Sequence, residues 1–257
     1  MSYGPDALDR RDPRTIAMAL PILEWIAARY QRLTCDGRDN IPIGKPVMFV
    51  GNHNGGILGP DLMCTLTVLW RTLRPESPLY PLAHDFVMRQ LPAVGRVLQR
   101  FGAVAATRDN AARVLASGGQ VLVYPGGDLD AYRHFRRRNE VVILPRTGFV
   151  EVAQAARVPI VPIVSYGAHR SAYIFHEGER IAEFLRMRHW ARLERFPMAL
   201  ALPWGLTLGP WLPYLPLPFP VGLRILPPMT ISPDEAPLDA AARIQREMQI
   251  HLDDMAS

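Results

Sequence analysis

Apolar residues recur along this chain in two rhythms. Near the N-terminus Ile16, Leu20, Leu23, Ala27 and Tyr30 fall at helical spacing, and Asp12-Pro13 supplies a cap and a first turn. That pattern predicts an amphipathic helix over residues 13–32, bent at Pro21. Further on, a short continuous apolar run stands at 47–50, ended by Gly51, and further strands fit 79–82, 103–106, 121–124 and 160–165. The run at 47–50 has the length and continuity of a strand buried on both faces. Helical patterns fill the intervals at 94–101, 110–117 and 147–156, and the chain closes on 238–255 with Ile244, Met248 and Leu252 along one stripe. Strand and helix alternate, which predicts a single-domain α/β fold: a mostly parallel sheet flanked by helices, with ligands gathering where strands end in loops. His53, Arg108, Gly126 and Gly127 all follow predicted strands and therefore converge on one edge of the sheet.

One stretch breaks the rhythm. Residues 196–223 contain no charged side chain, which is length enough for a spanning helix. Pro197, Pro203, Pro210, Pro213, Pro216, Pro218 and Pro220 forbid that helix, because each removes an amide donor that a spanning segment needs. Such a segment, carrying Trp204, Trp211 and Tyr214, suits the lining of a tunnel or an excursion into a bilayer interface; a loop packed on the core is the alternative.

Composition changes the picture in two respects. The net charge of +5 comes from 29 basic side chains, of which Lys45 is the only lysine, and such a surface attracts phosphate. Nucleic acid is disfavoured among the anionic partners, since no aromatic platform is interleaved with the basic residues. The two cysteines, Cys35 and Cys64, form neither a disulfide framework nor a metal cluster, so a reducing, cytoplasmic setting is expected, with no metal. The polar first fifteen residues lack the apolar core of a signal peptide.

The densest chemistry lies in VMFVGNHNGGILGPDLM, residues 47–63. A lone histidine at a strand end is most often structural. His53 has company: Asn52 precedes it, Gly55 and Gly56 permit close backbone approach to a ligand, and Pro60 places Asp61 in the first turn of a helix, where the dipole favours an ionised carboxylate. Extended, the step from His53 to Asp61 covers about 26 Å, so the two meet only if the loop doubles back. A carboxylate on one imidazole nitrogen leaves the other to take a proton from a hydroxyl, worth roughly 10² to 10⁴ in rate. No serine-nucleophile elbow occurs. Downstream, FGAVAATRDNAARVL delivers Arg108, suited to bidentate phosphate contact. VLVYPGGDLDAYRHFRRRN brings Pro125, Gly126, Gly127 and Asp128, whose backbone amides suit an oxyanion or phosphate. The following Arg133, Arg136, Arg137 and Arg138 read as a solvated face or a phosphate site. Nothing matches a Walker loop or a dinucleotide fingerprint.

In this order the segments resemble the glycerolipid acyltransferase superfamily, over Gly44 to Met229, with the terminal helices outside. GNHNGGILGPD is similar to the family's first block, FGAVAATR to the second, VYPGGD to the third and VPIVPIVSYG, with Pro162, to the fourth. RTGFVEVAQAARVPIVPI and the proline-rich stretch resemble the diacylglycerol acyltransferase-like branch. Asp61 stands eight positions after His53 rather than five, and Gly126 replaces the glutamate of the lysophosphatidic acid enzymes, as in the neutral-lipid branch. The resemblance implies transfer of a fatty acyl group from acyl-CoA, or a carrier-protein thioester, to a hydroxyl of a glycerolipid or lysophospholipid. His53 would be the base and Asp61 its orienter. Amides near Gly55, Gly56, Gly126 or Gly127 would hold the oxyanion, with Asn52 and Asp128 beside the substrate. Arg108 or Arg146 would hold phosphate, and Pro162 would shape the acyl site. Acyl-CoA would be a co-substrate, with no cofactor, and the protein would sit peripherally on the inner face of the cell membrane. A catalytically silent lipid-binding protein and a lipid esterase or thioesterase are the competing readings.

Overall fold

The computed structural model describes residues 4–56, 59–210 and 214–257. A seven-stranded sheet organises the chain, built from β1 (Thr34–Asp36), β2 (Val47–Gly51), β3 (Leu79–Ala83), β4 (Val104–Ala105), β5 (Gln120–Val123), β6 (Ile160–Tyr166) and β10 (Gly222–Ile225). Their order across the sheet is β1-β10-β6-β2-β5-β3-β4. β2 pairs in parallel with both β5 and β6, and β3 with β5 and β4, while β10 runs antiparallel to β6. All five residues of β2 are buried, the pattern of a strand covered on both faces.

Two apolar layers provide the cover. On one face α5 (Arg108–Ala116), α7 (Gly148–Ala156) and α10 (Pro237–Ala256) pack Val114, Val150, Ile244, Met248 and Leu252 against Met48, Val121 and Ile160. On the other, α1 (Pro13–Trp25) and α2 (Pro60–Leu73) pack Ile16, Leu20, Val68 and Leu69 against Phe49, Leu122 and Ile163. Each buried aliphatic of this kind contributes on the order of 1.5–3 kcal/mol. Both terminal helices thus belong to the core. Pro21 sits inside α1, and the departure from α geometry comes after it, in a π-helical turn at Ile26–Tyr30.

Short helices α3 (Asp85–Gln90), α4 (Pro92–Arg100) and α6 (Gly127–Ala131) border the carboxyl ends of the strands. The charge-free stretch is more regular than expected. With β7 (Tyr173–His176) it builds a second, antiparallel sheet, β7-β8-β9, from β8 (Met198–Ala201) and β9 (Gly205–Leu208), preceded by α8 (Glu179–Phe184) and α9 (Met187–Trp190). Its last residues become β10. Trp211 and Pro213 of the predicted tunnel or interface lie outside the described residues. Among the described residues no helix is long and apolar enough to cross a membrane.

Candidate active site

The central strand β2 ends at Gly51, and the next five residues form the floor of the site. Asn52 is fully buried. Its side-chain amide donates to the Ser165 carbonyl at 3.0 Å and its oxygen accepts from the Ser165 amide at 2.7 Å, stitching β2 to β6. Asn52 therefore fixes the loop, with both side-chain polar groups spent on Ser165, and does not line the cavity, whereas the sequence placed it beside substrate. The chain then doubles back to α2. Gly59 is obligatory in that reversal, because a Cβ there would strike the Asn54 carbonyl and the Asp61 carboxylate. The fold brings His53 Nδ1 to 2.7 Å from Asp61 Oδ2, and the same carboxylate oxygen accepts from the Asn54 amide at 3.0 Å. A carboxylate on Nδ1 holds the proton there and places basicity at Nε2. The Tyr124 ring packs on the imidazole, with centroids 4.7 Å apart.

His53 lines a cavity of about 380 Å³ at the carboxyl ends of β2 to β5. Its walls are largely apolar, among them Leu62, Leu66, Phe101, Val123 and Phe149. Volume and lining suit a small-molecule or acyl-bearing ligand. Two of the expected cations stand at the same cavity. Arg108 opens α5 and pairs with Glu151 through Nη1–Oε2 at 2.5 Å and Nη2–Oε1 at 3.3 Å. With the Arg108 side chain 65% exposed, that pair contributes at most about 1 kcal/mol, so an incoming phosphate can displace Glu151 cheaply. Arg146 donates to the Gly126 carbonyl at 2.9 Å and meets Asp128 Oδ1 at 3.1 Å and Glu194 Oε1 at 3.3 Å. Asp128 is buried, and its second oxygen accepts from the backbone amides of Glu194 and Arg195. Asp128 thus borders the cavity while holding Arg146 and the adjoining loop.

The glycine amides do something other than expected. Gly55 N–H donates to His169 Nδ1 at 2.9 Å, Gly56 N–H to the Ala131 carbonyl at 2.9 Å and Gly127 N–H to the Tyr124 carbonyl at 3.1 Å. These three are spent on the scaffold and cannot also hold an oxyanion. Gly126 is buried at the N-cap of α6 and, unlike Pro125 and Gly127, does not border the cavity. Pro162 lies buried in the middle of β6, opposite Val50, with its carbonyl taken by the Leu226 amide; it shapes the sheet and not an acyl site.

Four residues hold the histidine and its loop: Asp130 and His169, which the sequence did not single out, and Arg133 and Tyr214, which it placed in other roles. Arg133, fully buried, donates to the His53 carbonyl at 2.9 Å, to the Asn54 side chain, to Asp130 and to the carbonyls of Arg137 and Arg138. Asp130 accepts the His53 amide on Oδ2, while Oδ1, which faces Arg133, also accepts the Val142 amide at 3.0 Å. Burial pushes the Asp130 carboxyl above its ordinary value, against the pull of Arg133 and those two amides. His169 accepts from Gly55 and faces the Arg133 carbonyl at 2.8 Å, which assigns the proton to Nε2. Burial first, and the Arg133 charge next, lower its pKa to about 3, so it stays neutral. Tyr214 donates to the Gly55 carbonyl. Arg133 is thus no member of a solvated or phosphate-binding run; Arg136, Arg137 and Arg138 stay near the surface, with Arg137 on Glu140 at 2.7 Å. The only trace of the clamp in the sequence is the i,i+3 spacing of Asp130 and Arg133.

Fold and site together define a single-domain α/β protein with a braced imidazole at the carboxyl end of a central parallel strand. The family model described as Acyltransferase matches residues 32–166, and the chain belongs to that family, within the glycerolipid acyltransferase superfamily. An uncharacterized protein of Mycobacterium tuberculosis is 29% identical over 215 residues, covering 82% of this chain and 53% of that protein. Human diacylglycerol O-acyltransferase 2 is 27% identical over 138 residues, 50% of this chain and 35% of the human one. The chain spans about half the length of the mycobacterial relatives it matches, or less. The crystal structure of the 1-acyl-sn-glycerophosphate (LPA) acyltransferase PlsC from Thermotoga maritima superposes with a TM-score of 0.56 at 15% identity, over 94% of this chain and 82% of that one. At that identity the likeness is one of fold.

Proposed function

We propose that the protein is an O-acyltransferase that moves a fatty acyl group from acyl-CoA to a hydroxyl of a glycerolipid or lysophospholipid at the inner face of the cell membrane. The 2.7 Å contact between His53 Nδ1 and Asp61 Oδ2, on the wall of the cavity, carries this reading. His53 Nε2 takes the proton of the acceptor hydroxyl as its oxygen attacks the thioester carbonyl. Collapse of the tetrahedral intermediate breaks the carbon–sulfur bond, and the imidazolium returns the proton to the departing thiolate. Asp61 keeps the ring oriented and stabilises the imidazolium. Arg108 and Arg146 supply positive charge for phosphate on the donor or the acceptor. Membership of an acyltransferase family and the apolar cavity support the acyl group as the unit transferred.

The test is incubation of the purified protein with labelled acyl-CoA and a panel of lysophospholipids, mono- and diacylglycerols and long-chain alcohols. Labelled ester is expected with at least one acceptor, and none with His53→Ala. Equal transfer by that variant overturns the base assignment. Consumption of acyl-CoA without any acceptor makes the protein a thioesterase, and inactivity on every pair leaves a lipid-binding role.

A further inference from the structure

The sheet β7-β8-β9 has its apolar residues the wrong way round for water. An antiparallel sheet with one free face normally turns large apolar side chains inward and polar ones outward. Here the inward set is Ile174, Ala199, Ala201 and Thr207, with Ile174 and Ala199 packed on Ala131 and Tyr132 beside the catalytic loop. The outward set follows the register Tyr173–Leu200–Leu206, with Leu208 opposite Met198. Leu200, Leu206 and Leu208 are 51%, 59% and 52% exposed, and Trp204 stands at the hairpin turn, 51% exposed. Among the described residues β9 is moreover an edge strand, whose outward leucines would invite aggregation if left in water.

The face continues past the hairpin. Leu202 bridges to Leu215, which is also exposed, and Tyr214 beside it reaches the Gly55 carbonyl. The chain from Leu215 is tied to the end of the N-terminal helical segment by Tyr30 Oη on the Pro216 carbonyl at 2.9 Å and Arg32 on the Pro218 carbonyl at 2.6 Å. Arg29 and Arg32, both exposed, form no ion pair with an acid among the described residues. An uncharged face is therefore bordered by unpaired cations.

We infer that the outer face of β7-β8-β9, with the strap around Leu215, docks on an anionic lipid bilayer. The leucines enter the boundary between headgroups and acyl chains, Trp204 anchors at that depth, and Arg29 and Arg32 meet lipid phosphates. A bilayer is the occupant favoured by this combination of an apolar patch, an aromatic tip and flanking arginines. The inference rests on the reading of a lipid acceptor and names where that lipid is met.

Sedimentation of the full chain with phosphatidylcholine vesicles, with and without phosphatidylglycerol, tests it. Wild type is expected to bind, and several-fold more tightly when the anionic lipid is present, at about fivefold per arginine. Leu206→Asp/Leu208→Asp is expected to weaken binding at least about tenfold, and Trp204→Ala to weaken it without adding charge. Both variants should keep wild-type circular dichroism and wild-type turnover of a short-chain, water-soluble acceptor. No binding by wild type, or unchanged binding by both variants, overturns the inference. So does a wild-type dimer in lipid-free buffer that the double variant dissolves, since a second copy would then be the occupant. His53→Ala separates the two readings: it should bind vesicles like wild type, and transfer by it would sink the catalytic assignment while leaving docking intact.

Discussion

Arg133→Met is the most informative perturbation, because one buried side chain holds His53, the proposed base, from both directions. The guanidinium takes the His53 carbonyl directly at 2.9 Å and pairs with Asp130, whose other oxygen accepts the His53 amide. Removing one partner of a buried ion pair costs about 3–5 kcal/mol, since the other charge is left without compensation. Against a total stability of about 5–15 kcal/mol, the variant folds but is strongly weakened. The loss depends on pH. Burial already holds the Asp130 carboxyl above its ordinary value of 3.8, and a carboxyl raised in the folded state contributes stability at low pH that is lost as pH climbs through its native titration. Without Arg133 that titration moves higher still. Urea unfolding of wild type and variant should show a constant, smallest gap at pH values below the raised native titration of wild-type Asp130, widening by up to about 1.4 kcal/mol per pH unit between that titration and the variant's higher one. Arg133→Met/Asp130→Leu should recover most of the stability, because both charges are gone, yet not the turnover, because His53 loses both anchors. A gap under about 1 kcal/mol, a gap independent of pH, or full turnover in the double variant refutes the clamp.

Asp61→Asn is expected to lower kcat of acyl transfer by roughly 10² to 10⁴ while leaving KM within about threefold, since the amide no longer favours the tautomer with basicity at Nε2; an unchanged kcat in steady-state assays would remove Asp61 from the mechanism. His169 has its pKa lowered from 6.5 to about 3 in the folded protein, so above pH 6.5 it is neutral folded or unfolded and contributes no slope. Between pH 6.5 and about 3 only the unfolded chain takes the proton, and stability should fall with acidification by up to about 1.4 kcal/mol per pH unit. Chemical denaturation at stepped pH should show that slope in wild type and its loss in His169→Asn; an identical slope in both would refute the neutral assignment.

The parallel core was legible because its strands are continuous apolar runs: the expected 47–50, 121–124 and 160–165 differ from β2, β5 and β6 by a residue at either end. The hairpin β8-β9 was hidden for a physical reason. In β8 the alternation is between large and small apolar residues, Leu200 outside against Ala199 and Ala201 inside, so a division into apolar and polar shows no period of two, and β9, where Leu206 and Leu208 flank the inward Thr207, is only four residues long. β1 and β10, at three and four residues, carry too little pattern to register. In the site, His53 and Asp61 were readable as partners because eight residues, a glycine-rich reversal and a helix start join them. The clamp lies 77 residues from His53, and in the run of arginines only tertiary burial separates Arg133 from Arg136. The same distinction reassigns the glycines. Their spacing is what a ligand-cradling loop would show, yet Gly55, Gly56 and Gly127 donate to the protein itself. The loop is thus wired from Ser165, Asp130, Arg133, His169 and Tyr214, and five points of attachment leave the imidazole little freedom apart from the proton it exchanges. Rigidity of that kind is what a general base needs, since misplacement by about 1 Å costs on the order of 100-fold in rate.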